Sequence, residues 1–136
     1  MTPRARLAFL AAFGLSLAAS CLAASCLTER PRPAPPTIAI TLDKTTVQSR
    51  NAPAPPDTLT VTVRAADPDG IDSAWVQLDG DPPLGADGLL DPVLEGPFRV
   101  LVPGGFLQGT TLPVRVRARD VAGFEGERDT SVSVAP

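Results

Sequence analysis

Four aspartates stand in two turn-like stretches, Asp67, Asp69 and Asp72 in ADPDGID and Asp120 in RDVAG. Clustered carboxylates are hard oxygen donors of the kind calcium takes, and paired ones can hydrolyse glycosides where a cleft holds the sugar. The same residues also begin turns by bonding their own backbone, and DPDG is sound turn chemistry with no ion bound. A second constellation is the single tryptophan, Trp75, together with Arg115, Arg117 and Arg119. An indole beside guanidinium groups can stack on them, and arginine grips carboxylates in pairs. Histidine and tyrosine are absent from the sequence. That removes the commonest metal ligand and general base, and with them the Ser/His and Cys/His nucleophile arrangements. Thiol chemistry is confined to Cys21 and Cys26, each closing a copy of the pentapeptide LAASC.

Those cysteines end an uncharged stretch from Leu7 to Leu27 that follows Arg4 and Arg6. A positive segment followed by an apolar one is the pattern of a secretory signal. Small residues immediately before a cysteine resemble the lipobox of bacterial lipoproteins, in which a dedicated peptidase cleaves before a thiol-lipidated cysteine. Ala18 and Ala23 occupy the position where that family prefers a branched aliphatic residue. The resemblance implies lipidation of Cys26 or Cys21. Cleavage at Cys26 leaves no spare thiol in an oxidising compartment, whereas cleavage at Cys21 gives an apolar segment of more ordinary length. Ordinary signal cleavage after Ser20, or an uncleaved span of about 20 apolar residues, are the alternatives. The expected organisation is a signal peptide over 1–25, a Pro-rich linker over 26–36 and one domain over 37–136. The linker sequence RPRPAPP can form neither helix nor sheet, so it should be an extended spacer.

The elements that would position the aspartates and the arginines are strands. The 16 prolines and 11 glycines punctuate stretches that alternate at period two. In Leu59 to Ala65 every second residue is apolar and the intervening ones are Thr or Arg. In Val114 to Arg119, Val114, Val116 and Ala118 alternate with Arg115, Arg117 and Arg119. These read as half-buried antiparallel strands. Further strands are expected over Thr37 to Gln48, Ile71 to Leu78, Phe98 to Val102 and Thr130 to Val134. The stretch from Asp79 to Pro97 is too rich in Pro and Gly to place one. Two residues follow Val134, so neither a further domain nor a C-terminal anchor is expected.

VTVRAADPDGIDSAWVQLDG and LPVRVRARDVAG resemble the second-to-third and sixth strands of bacterial immunoglobulin-like domains, kin to cadherin and fibronectin type III modules. The resemblance covers Thr37 to Val134 and implies an all-β, immunoglobulin-like antiparallel sandwich of about seven strands. It departs from the family in having no inter-sheet disulfide and in placing Leu112 where a corner tyrosine often stands. It further implies that Asp67, Asp69, Asp72 and Asp120 meet at one end, where cadherin-like domains hold calcium. Parity puts Ala74, Val76 and Leu78 inward and Trp75 outward, on the face that would carry Arg115, Arg117 and Arg119.

The net charge of −3 argues against non-specific nucleic-acid binding, and a small sandwich with short loops offers little cleft for catalysis. The expectation is therefore a non-catalytic, monomeric lipoprotein of the cell envelope. It would be exported, held by an N-terminal lipid and without cofactor, acting as a surface-tethered binding or structural module. Its partner would be an acidic protein or glycan meeting Trp75 and the arginines. The alternative is a calcium-dependent or carbohydrate-binding accessory domain.

Overall fold

The alternating stretches form strands in a computed structural model that describes residues 34–136. The signal segment, Cys21 and Cys26 lie outside the described residues, as does all of the linker before Ala34. Eight strands follow in chain order: β1 (Thr37–Leu42), β2 (Thr46–Val47), β3 (Asp57–Ala66), β4 (Ile71–Leu78), β5 (Leu84–Asp87), β6 (Val93–Val102), β7 (Thr111–Asp120) and β8 (Glu125–Val134). One sheet has the order β1-β3-β6 and the other β2-β8-β7-β4-β5. All neighbours are antiparallel except β2, which runs parallel to β8.

The apolar half of each alternation faces the space between the sheets. Leu59, Val61, Val63 and Ala65 of β3 meet Leu94, Phe98, Val100 and Val102 of β6 there, and from the other sheet come Ala74, Val76, Leu78, Leu112, Val114, Val116 and Ala118. Ile71 is buried too, although its parity differs from that of Ala74. A register shift between Ile71 and Ser73 accounts for this, since an extra residue in one strand turns the preceding side chain to the opposite face.

Four expectations about strands are corrected. The stretch Thr37 to Gln48 is two strands in different sheets, because its polar middle is held by β3. Asp43 exchanges bonds with Thr60, its amide donating to the Thr60 carbonyl at 3.1 Å and its Oδ1 accepting from the Thr60 amide at 3.0 Å. Lys44 then donates to Asp57 at 2.7 Å. A strand does form within the Pro/Gly-rich stretch, as β5 on the edge beside β4. The strand expected from Phe98 begins at Val93. Pro97 sits inside it without harm because β6 is an edge strand, where a missing N–H breaks no second ladder. Finally, the strand expected from Thr130 begins at Glu125.

Asp57 pins the crossover from β1 to β2. Besides Lys44, its carboxylate accepts the amides of Gln48 at 2.9 Å and Thr58 at 2.9 Å. Partial burial works to raise its pKa, but the Lys44 bond, the two amides and the lysine charge together hold it below the ordinary carboxylate value. A carboxylate depressed in the folded state stabilises the fold above its unfolded pKa, and that contribution is lost as the pH falls through the folded value. Asp57→Asn should therefore melt below wild type at neutral pH. The gap between the two should close below about pH 4, as measured by thermal melts across that range.

Candidate functional site

The outer face of the five-stranded sheet gathers the second constellation. Antiparallel register sets Ser73 opposite Arg119, Trp75 opposite Arg117 and Gln77 opposite Arg115. All six side chains point away from the core, because their neighbours Ala74, Val76, Leu78, Val114, Val116 and Ala118 point into it. On its other side Trp75 pairs with Gly85 of β5. A Cβ built on Gly85 would lie 3.1 Å from Cδ1 and 3.3 Å from Nε1 of the indole. The ring thus lies across the bare backbone of the edge strand, which explains a glycine in a strand interior. The Arg119 guanidinium carbon sits 5.5 Å from the ring centroid, within cation–π range. Trp75 is accordingly half-buried on the outside of the sheet.

Arg119 is held from behind by Asp72, whose Oδ2 accepts its Nη2 at 3.0 Å and its Nε at 3.2 Å, and also the Ser73 hydroxyl at 2.8 Å. The Ser73 bond and then the Arg119 bond and charge hold the Asp72 carboxyl below its ordinary pKa. Arg115 lies between Glu127 at 3.3 Å and Asp129 at 3.4 Å. Among the described residues Arg117 has no carboxylate within salt-bridge distance.

Sequence reading missed the acids beside these arginines. Along β8, Glu125, Glu127 and Asp129 stand opposite Arg119, Arg117 and Arg115. The face is therefore a row of three cations against a row of three anions. It is not a uniformly basic patch, and the mutual repulsion expected of three arginines on one strand is offset across the sheet. The signal was present, since EGERD alternates at period two. Gly123 and Gly126 made the overlapping stretch VAGFEGE read as a turn.

The aspartates occupy the end of the sandwich near the turn between β3 and β4, where Asp67, Asp72 and Asp120 each have a local task. Asp67 Oδ1 accepts the Asp69 amide at 2.8 Å. Asp120 is buried, its Oδ1 accepting the Phe124 amide at 2.8 Å to close the turn between β7 and β8, while its Oδ2 has no partner among the described residues. Asp72 is committed to Arg119 and Ser73. Among the described residues no three such side chains converge into a group able to hold a metal ion.

No family model matches the sequence, and no curated protein matches it. Among solved structures, the PKD domain of an M14-like peptidase from a Thermoplasmatales archaeon matches with a TM-score of 0.53 and 17% identity. The match covers 76% of this chain and 99% of that one. The two-sheet strand order and this likeness define the class: the described residues form an immunoglobulin-like antiparallel β-sandwich. At 17% identity the likeness concerns the fold alone.

Proposed function

We propose that this protein is an exported, membrane-tethered and non-catalytic module whose β5-β4-β7-β8 face binds an acidic protein segment or an acidic glycan. The observation that supports this most directly is the pairing of Trp75 with Arg117 on an outer face. The indole is already oriented by Gly85 and Arg119, and the guanidinium opposite it makes no salt bridge among the described residues, its cross-strand neighbour Glu127 being engaged by Arg115. Preset aromatic and arginine groups are the ones most enriched where binding energy concentrates. Arg115 and Arg119 frame the site but are engaged by Glu127, Asp129 and Asp72. The tether rests on Arg4, Arg6, the apolar run and the two LAASC copies.

Membrane fractionation and capture from native envelope extract, run on the same variants, test the two halves. Cys21→Ser combined with Cys26→Ser should abolish lipid labelling and membrane retention. Arg117→Ala should change stability by less than about 0.5 kcal/mol yet lower capture by about tenfold, and soluble polyglutamate should compete with the wild type. Equal capture by wild type and Arg117→Ala would remove the binding face. A double serine variant that keeps its membrane association would remove the lipid tether.

A further inference from the structure

Three loops are knitted together at one end of the sandwich. The Asp67 amide donates to Pro92 at 2.9 Å, the Ile71 amide to Asp91 at 2.8 Å, the Leu90 amide to Ile71 at 3.1 Å and the Val121 amide to Gly70 at 3.1 Å. This tip turns apolar side chains outward: Leu89 is 74% exposed, Leu90 64%, Val121 45% and Phe124 40%. Leu89 and Leu90 do so from left-handed backbone, with φ of 53° and 64°, in a turn closed by the Asp91 amide on the Gly88 carbonyl at 3.0 Å. A turn with positive φ at both central positions favours Asn-Gly. Leucine is poor there on conformational grounds and poor at a water-exposed position on solvation grounds. Asparagine would serve the fold better on both counts, so the leucines point to a use outside the fold.

The chain also enters the domain at this end. Thr37 pairs with Ala66, and Ala34 and Pro35 line a shallow crevice with Asp67, Pro68 and Pro92. From Cys26 to Pro33 the sequence has eight residues and from Cys21 thirteen, which could span at most about 25 Å and about 40 Å at about 3.1 Å each. A membrane holding the lipid on either cysteine would therefore lie within about 25 to 40 Å of Ala34, where the chain enters the tip. Such a short tether makes contact effectively intramolecular, so a modest apolar surface suffices to hold it.

We propose that the tip bearing Leu89, Leu90, Val121 and Phe124 rests on the lipid surface to which the N-terminus is tethered. The inference builds on the tethered reading above. Exposed Asp69, Asp87, Asp91 and Glu125 stand on the same loops or their flanks, so the surface suited to it is zwitterionic and not anionic.

The test uses the full chain, purified from membranes and reconstituted into phosphatidylcholine vesicles with brominated acyl chains. Trp75→Phe leaves an introduced indole as the sole one. Phe124→Trp in this background should be quenched several-fold more than Leu107→Trp, which places the indole in the exposed loop between β6 and β7. Adding Leu89→Asn and Leu90→Asn should bring quenching at position 124 down to the level at 107. The circular dichroism spectrum should stay unchanged, because asparagine tolerates left-handed backbone. Protein that floats with the vesicles yet is quenched equally at 124 and 107 would overturn the tip contact and leave the tether standing. Protein that does not float would remove the tether and the tip contact together. Quenching at 124 that rises when phosphatidylglycerol is mixed in would also overturn the proposal, since the acidic tip should be repelled.

Discussion

Gly70→Ala should destabilise the domain by about 2–5 kcal/mol, enough to remove a large part of the stability of an ordinary small domain. Two separate effects add at this residue. Its φ is +107°, a conformation that a side chain makes costly. A Cβ there would also lie 2.5 Å from the Leu90 carbonyl oxygen and 3.2 Å from the carbonyl carbon. Both are backbone atoms, so no rotamer change relieves the overlap. Gly70 also donates to Asp67 at 3.2 Å and accepts from Val121 at 3.1 Å, so all three tip loops must shift together. Gly80→Ala isolates the first effect, because Gly80 has φ +82° and nothing within 4 Å of its added Cβ. Chemical denaturation should show a loss at position 80 of only about 1 kcal/mol. Similar losses at both positions would mean that the loops yield without strain and that the tip is not a rigid unit.

Leu59→Ala should cost a comparable amount, about 2–5 kcal/mol, by a different route. Leu59 has no exposed surface and lies on β3, the central strand of its sheet, opposite Val100 of β6. Truncation removes its apolar contacts and leaves a void that neighbouring strands, each fixed by its own ladder, fill only in part. No cysteine lies within residues 34–136, so no disulfide limits the unfolded chain and the loss should register in full as a lower denaturation midpoint. Leu101→Ala on β6 is the control. Leu101 is 60% exposed, and its loss should stay within about 0.5 kcal/mol. A Leu59→Ala midpoint as close to wild type as that of Leu101→Ala would show that the packing between the sheets is looser than these contacts imply.

Much of this architecture was legible in the residues. The alternations at Leu59 to Ala65 and Val114 to Arg119 are borne out as strands of a two-sheet, immunoglobulin-like sandwich. Ile71 to Leu78 is β4 from end to end, and the outward parity of Trp75 is what places it with Arg115, Arg117 and Arg119. What was misread along β5, β6 and β8 shares one cause. Gly96, Pro97 and the glycines of VAGFEGE read as breaks, because glycine and proline weaken a strand when only local preferences are weighed. Tertiary position overrode them: β6 is an edge that tolerates proline, and β8 gains a full antiparallel ladder with β7. Gly85 is the inverse case, a glycine needed inside a strand only because an indole from the neighbouring strand lies across it.

The order of residues alone set which side of each strand is apolar, because alternation depends on nothing beyond the pleat of an extended backbone. It also determined the lack of histidine and tyrosine chemistry and the apolar, cysteine-ended N-terminal run. Which strands are neighbours, and in what register, emerges only in the folded domain, because these are contacts between residues far apart in the chain. That is why Asp43, Lys44 and Asp57 could split one apparent strand between two sheets. It is also why Glu125, Glu127 and Asp129 turn a row of arginines into a mixed-charge face. The same holds for Leu89, Leu90, Val121 and Phe124, which come from two loops separated by two strands, β6 and β7. They form one surface because Gly70, at the end of a third loop, bonds to one and Ile71, which begins β4, bonds to the other.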